Sequence, residues 1–263
     1  LITLTGIRLF LLDMDGTFYL GDTLLPGALE FIDTCRSKGI DFLFLTNNSS
    51  KHRGQYVDKL RRLGLEITAD KIFTSGEATA IYLRKQKPQA FLYVVGTPAL
   101  EKEFENHGFT LVNREPHFAV LGFDTSLTYD KLWRLCDLVR AGTPYIATHP
   151  DFNCPLENGG FMPDIGAMIA FVEAATGRRP DVVVGKPNRP IIEAVVERTG
   201  IPIKHICMVG DRLYTDIALG VTGVTTVLVL SGEASLKDLP NAPHQPDFVM
   251  QNLAKLDFAV QNT

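Results

Sequence analysis

The stretch Arg8-Leu9-Phe10-Leu11-Leu12-Asp13-Met14-Asp15-Gly16-Thr17 constrains the fold more than any other part of the chain. An unbroken apolar run of this length describes a strand covered on both faces, as in a parallel sheet flanked by helices. Such a strand carries whatever follows it to the carboxyl edge of the sheet. Here that is a pair of carboxylates one residue apart, then a glycine. Alone, Asp15-Gly16 reads equally well as a polar turn after a core strand.

The pattern recurs. Phe42-Leu43-Phe44-Leu45 runs into Thr46-Asn47-Asn48-Ser49-Ser50, and Ile206-Cys207-Met208-Val209 into Gly210-Asp211-Arg212-Leu213-Tyr214-Thr215-Asp216. Asp181-Val182-Val183-Val184-Gly185-Lys186-Pro187 reads as a fourth strand of the same set. Helices are predicted from Pro26 to Lys38, Gln55 to Leu63, Glu77 to Lys85, around Ile191 to Val196 up to Gly200, and briefly from Thr215 to Gly220. Late strands follow at Thr226–Leu230 and Phe248–Met250, with a helical terminus. This alternation predicts an α/β fold with a doubly wound parallel sheet.

The run Lys85-Gln86-Lys87-Pro88-Gln89 breaks the alternation, and Gly177-Arg178-Arg179-Pro180 breaks it again. Between them lies a second αβ series, with strands at 91–95, 118–121 and 145–147 and helices at 98–106 and 128–140, Thr128 acting as N-cap. The organisation expected is a core of 1–85 plus 180–263 with an inserted domain of 86–179. His149 to Pro163 is long, irregular and partly aromatic, which suits a binding loop. His149 and Cys154 would be two metal ligands without partners, so a polar loop with one small thiol is the plainer reading.

The 26 Lys and Arg against 30 Asp and Glu give a net charge of −4 without a basic run, so no nucleic-acid polymer is expected as a partner. No apolar stretch reaches the roughly 20 residues that cross a bilayer, and the first residues lack the basic start of a signal peptide. No membrane association is expected. The four cysteines form no Cys-x-x-Cys pair and fit reduced core thiols, which makes the cytoplasm the expected compartment.

In an open parallel sheet the carboxyl ends of the strands line one crevice. That would bring Asp13 and Asp15, Thr46 and Asn47, Lys186, and Asp211 with Asp216 together. Each has a plain reading by itself: a turn, an exposed loop start, a helix capped by Thr215. Together, each at a strand end, they suit a hydrated magnesium ion facing a phosphate, with Lys186 a point charge where negative charge accumulates.

These residues carry a resemblance. Asp13-x-Asp15-Gly16-Thr17, Thr46-Asn47-Asn48-Ser49, Gly185-Lys186-Pro187 and Gly210-Asp211-x-x-x-Thr215-Asp216 resemble the four motifs of the haloacid dehalogenase (HAD) superfamily. The large αβ insertion further resembles its NagD-like branch of p-nitrophenyl phosphatases and nucleotidases. The resemblance implies a Rossmann-like HAD core with an α/β cap, and magnesium-dependent hydrolysis of small phosphate monoesters such as nucleotides, sugar phosphates or p-nitrophenyl phosphate. It implies Asp13 as the nucleophile that becomes an aspartyl phosphate, and Asp15 as general acid and base. Magnesium would be held by Asp13, Asp211 and the Asp15 carbonyl with Asp216 in support, and Thr46, the amide of Asn47 and Lys186 would cradle the phosphoryl oxygens. Dehalogenases need no acid at position 15, because a halide leaves without a proton, so phosphatase chemistry is favoured. Asp151, Asn153, Glu157 and Asn158 of the cap loop would recognise the leaving group, and related proteins form homodimers through the cap. A phosphometabolite-binding module with negligible turnover and a phosphotransferase stay open as alternatives.

Overall fold

The computed structural model describes residues 4–155 and 160–262. In chain order its elements begin with β1 (Leu9–Leu12), β2 (Tyr19–Leu20), β3 (Thr23–Leu24), α1 (Ala28–Lys38), β4 (Asp41–Thr46), α2 (Arg53–Arg62), β5 (Ile72–Thr74) and α3 (Ser75–Gln86). They continue with β6 (Phe91–Val95), α4 (Pro98–Asn106), β7 (Thr110–Leu111), β8 (Phe118–Leu121), α5 (Tyr129–Arg140), β9 (Tyr145–Ala147), β10 (Asn153–Pro155), β11 (Phe161–Pro163) and α6 (Ile165–Thr176). The last are β12 (Val182–Val183), α7 (Arg189–Thr199), β13 (Ile206–Gly210), β14 (Thr225–Val229), β15 (Phe248–Met250) and α8 (Leu253–Gln261). Two compact units result: one made of residues up to Thr46, Gly54–Phe73 and the chain from Lys186 onward, the other of Asn47–Arg53 and Thr74–Gly185.

The first unit is built on a six-stranded sheet in the order β15-β14-β13-β1-β4-β5. β1 lies inside it, parallel to both neighbours, with Leu9 to Leu12 in register with Ile206 to Val209 on one side and Asp41 to Phe44 on the other. All four β1 side chains are fully buried, which is what an unbroken apolar run requires of a strand with two covered faces. Phe10 packs edge-on against Phe31 of α1 at 5.0 Å, and Phe18 against Phe44 at 4.9 Å. Helices α1 and α8 pack together beside this cluster. The short antiparallel pair β2–β3 follows the first motif.

The second unit holds a five-stranded parallel sheet, β12-β9-β8-β6-β7, and a small antiparallel pair, β10–β11. Its core joins Tyr93, Leu121, Leu135, Val139 and Tyr145 to Ile165 and Val172 of α6. Thr128 caps α5 as expected, its Oγ1 accepting from Lys131 N at 3.3 Å.

Three local readings are corrected. The strand expected to resume the first domain after Asp181 is only Val182–Val183, and it pairs in parallel with Ile146–Ala147 in the second unit's sheet. Its two side chains are half-buried, so the valines are an edge strand and not a core one. Part of the stretch expected to be irregular from His149 to Pro163 is the ladder Asn153–Pro155 with Phe161–Pro163; Glu157 and Asn158 lie outside the described residues. The helix expected from Thr215 to Gly220 is a 3-10 segment, Ile217–Thr222, with Asp216 at its N-cap and no side-chain cap bond.

Candidate active site

Strands β13, β1 and β4 are neighbours and run parallel, so their carboxyl ends open on one edge. Asp13 follows β1, Thr46 ends β4 and Asp211 follows β13. The ladder continues one residue past β1, where Asp13 N donates to Val209 O at 2.9 Å. Thr46 is buried at this edge. Lys186 arrives differently from the expectation. It leaves the second unit's edge strand and precedes α7, yet its Nζ donates to Asp13 Oδ1 at 2.7 Å, to Asp216 Oδ1 at 2.6 Å and to Leu45 O at 3.3 Å.

Lys186 is 3% exposed. Burial alone disfavours the charged ammonium, but Asp13 and Asp216 outweigh it and hold its pKa above the ordinary lysine value. Asp216 is pushed up to about 6, by burial first and by Asp13, with Lys186 acting against the rise. Its Oδ2 accepts from Arg212 N at 3.2 Å. Both oxygens of Asp216 are therefore engaged with charge or backbone, which is why it does not cap the following turn.

Asp211 is pushed up to about 7, by burial first, then by Asp13 and Asp216. Its Oδ1 accepts from Thr17 Oγ1 at 3.2 Å and its Oδ2 from Glu233 N at 2.7 Å. Gly16 makes room for it: φ is +83°, and a Cβ there would stand 2.3 Å from Asp211 Oδ2. One oxygen each of Asp13, Asp211 and Asp216 lie within 4.8 Å of one another. Three carboxylates this close, one of them raised by burial and by the other two, fit a divalent cation with oxygen ligands.

Asp15 lies outside this trio. Its side chain is exposed, and the backbone around it turns back so that Gly16 N donates to Tyr19 O at 2.8 Å. Asn47, next after Thr46, belongs to the second unit, where its Nδ2 donates to both oxygens of Asp151 at 3.1 and 3.3 Å. His149 and Cys154 fall in no common metal-ligating group among the described residues. The His149 imidazole bonds to Asp164, 3.0 Å away, while Cys154 packs against the apolar core of its unit.

Sequence reasoning assigned no role to Thr17, Arg212 or Glu233. Arg212 Nε lies 3.1 Å from Glu233 Oε2, and Tyr214 donates to Glu233 Oε1 at 2.7 Å, closing a charged rim beside the acidic trio. Arg212 stands inside the last motif, so its position was the available signal. Glu233 contributes its backbone N–H, which leaves no mark in a sequence.

Comparison with known proteins gives the family. The profile of haloacid dehalogenase-like hydrolases matches residues 10–110, and a HAD-hydrolase-like profile matches residues 183–256. A solved 4-nitrophenylphosphatase from Thermotoga maritima is 49% identical, with 98% of this chain and 99% of that one covered at a TM-score of 0.94. NagD from Escherichia coli K-12 is 33% identical over 97% of this chain and 98% of its own, with a TM-score of 0.88. The 5'-nucleotidase YutF of Bacillus subtilis is 33% identical over 94% of this chain and 96% of its own length. Matched motifs, a six-stranded core sheet and a five-stranded inserted one make this chain a member of the haloacid dehalogenase-like hydrolases, in the family of NagD and the p-nitrophenyl phosphatases.

Proposed function

We propose that the chain is a magnesium-dependent phosphatase of small phosphate monoesters, working through an aspartyl phosphate on Asp13. The observation that carries this reading is the buried Lys186 ammonium shared by Asp13 and Asp216 beside the raised Asp211 carboxyl. An array of fixed charges of both signs, in a chain with a net charge of only −4, suits a dianionic group and its cation.

Asp13 attacks phosphorus; the new bond joins its carboxylate oxygen to phosphorus as the bond to the ester oxygen breaks. Asp15 gives its proton to the departing alkoxide, then takes one from the water that cleaves the acyl phosphate and returns Asp13 to a carboxylate. Lys186, the Thr46 hydroxyl and the Asn47 amide bind the phosphoryl oxygens. Asp13, Asp211 and the Asp15 carbonyl, with Asp216 in support, would hold magnesium, which when bound would supply positive charge against the repulsion between Asp13 and a phosphate. The inserted domain, 86–179, serves in this reading as the cap that selects the leaving group. Nucleotides, sugar phosphates and p-nitrophenyl phosphate are the substrates to compare, in keeping with the nucleotidase and 4-nitrophenylphosphatase among its relatives.

The test is phosphate release from p-nitrophenyl phosphate with and without magnesium, beside Asp13→Asn. Metal-dependent turnover lost in the variant supports the reading. Turnover surviving in Asp13→Asn places the chemistry elsewhere, and an inactive wild type favours a phosphometabolite-binding module.

A further inference from the structure

The second unit contains a polar network that no step of the proposed reaction uses. His149 is fully buried and its Nε2 lies 3.0 Å from Asp164 Oδ1. Its Nδ1 lies 3.1 Å from Thr148 Oγ1, which in turn meets Ser49 Oγ at 3.0 Å, and Ser49 Oγ accepts from Phe123 N at 2.9 Å. With a neutral imidazole every proton finds one place: Phe123 N–H to Ser49, Ser49 to Thr148, Thr148 to Nδ1, and Nε2–H to Asp164. Ser75 Oγ donates to the Asn47 carbonyl. The network therefore grips the segment after Thr46 at Asn47 and Ser49.

His149, Asp151 and Asp164 also lie close enough to hold a metal ion. Each already takes part in hydrogen bonds, Asp164 Oδ1 with His149 and Ile165 N and Asp151 with Asn47. The arrangement is read as a frame.

At the centre of the frame is the Asn47 side chain. Its Nδ2 donates to the Asp151 carboxylate at 3.1 and 3.3 Å. Its Oδ1 lies against Gly185, where an added Cβ would stand 2.7 Å from it and 2.6 Å from His149 Cβ. Asp151 is itself fixed, its carbonyl accepting from Gly166 N at 2.7 Å. The side-chain amide of Asn47 is thus committed to a carboxylate.

We propose that Asp151, held at the start of α6 by Gly166 N, is a positioning residue that orients Asn47 so that its backbone N–H meets a phosphoryl oxygen. The inference rests on the phosphatase reading above. A charge-assisted hydrogen bond holds a donor more firmly than a neutral one, and a misplacement of about 1 Å near a reacting group costs up to ~100-fold in rate.

The test is a double-mutant cycle with Asp151→Ala and Asn47→Ala, reading kcat and KM for p-nitrophenyl phosphate and the inhibition constant of inorganic phosphate. Each single variant is expected to lower kcat/KM about tenfold and weaken phosphate inhibition similarly, the double variant losing about tenfold and not a hundredfold, because both remove one interaction. Asp151→Asn, whose carbonyl still accepts from Nδ2, is expected to recover most of the loss. Asp151→Ser replaces the alanine variant if that chain does not fold, which thermal unfolding reports. Additive losses, or phosphate inhibition unchanged in folded Asp151→Ala, overturn the inference even if Asp13→Asn is inactive. Coupled losses alongside an active Asp13→Asn overturn the phosphatase reading, and the inference falls with it.

Discussion

Replacing Lys186 with methionine removes the ammonium between Asp13 and Asp216 and keeps an unbranched side chain. Its two ion contacts are 2.7 and 2.6 Å long, so at an effective dielectric constant of ~20 each attraction is worth about 6 kcal/mol gross. Most of that offsets the cost of burying the charges, and removing one partner of such a cluster costs about 3–5 kcal/mol net. The pH dependence has a definite sign. Asp216 is raised from the usual 3.8 to about 6 even with Lys186 opposing the rise, so its ionised form already weighs against the folded state above that range. Without the lysine that penalty grows, is complete at high pH, and vanishes as acidification protonates Asp216. Metal-free Lys186→Met is therefore expected to be about 3–5 kcal/mol less stable than wild type at pH 8. At pH 5 the deficit should shrink to about 1–2 kcal/mol, reflecting the bond to Leu45 O and lost packing. Urea unfolding followed by circular dichroism, with chelator present, measures both. A deficit below about 1 kcal/mol at pH 8, or one that grows on acidification, refutes the electrostatic argument.

Three other outcomes follow from the same geometry. Asp211 is raised to about 7, so magnesium binding at pH 6.5 should release up to about one proton and weaken as pH falls; calorimetry in buffers of different ionisation enthalpy reads this, and zero release contradicts it. Asp15→Asn should lower turnover of alkyl phosphates about 10²–10⁴-fold but that of p-nitrophenyl phosphate less, because p-nitrophenolate leaves with less help from an acid; equal losses on both would remove Asp15 from that role. Phe44 is fully buried and edge-on to Phe18 at 4.9 Å and Phe42 at 6.0 Å, so Phe44→Ala should cost about 3–5 kcal/mol in thermal unfolding. A cost near zero would mean that this cluster does not bear on stability.

The core strands were legible because burial on both faces leaves an apolar run, and Leu9–Leu12, Phe42–Leu45 and Ile206–Val209 are such runs ending at the proposed site. Val182–Val183 imitates them, since a parallel edge strand of the inserted sheet uses the same β-branched residues, and its partner is chosen by packing 36 residues back, at Ile146. The pair β2–β3 has two residues per strand, too few for any period to show. Lys186 is legible both at the end of the apolar run through Val182 and Val183 and by its motif, although the run is an edge strand of the other sheet. The His149–Asp164 pair was missed because the two are 15 residues apart across a hairpin, and buried hydrogen bonds between loop residues have no spacing rule. Asp151 reads in the sequence as a leaving-group contact of the cap loop, and only the folded chain shows it on Asn47.

Because β1 pairs with β13, a strand made before the rest of its sheet has its partner about 200 residues downstream. At synthesis rates of ~5–20 residues per second, the apolar edge of Leu9–Leu12 waits roughly 10–40 s for Ile206–Val209 to emerge. The inserted sheet, contained between Phe91 and Val183, is complete earlier. The nascent chain thus carries an assembled insertion while the edge that will bear Asp13 is still an open β template. That interval is when chaperones have most to protect and when a truncated product is most prone to aggregate.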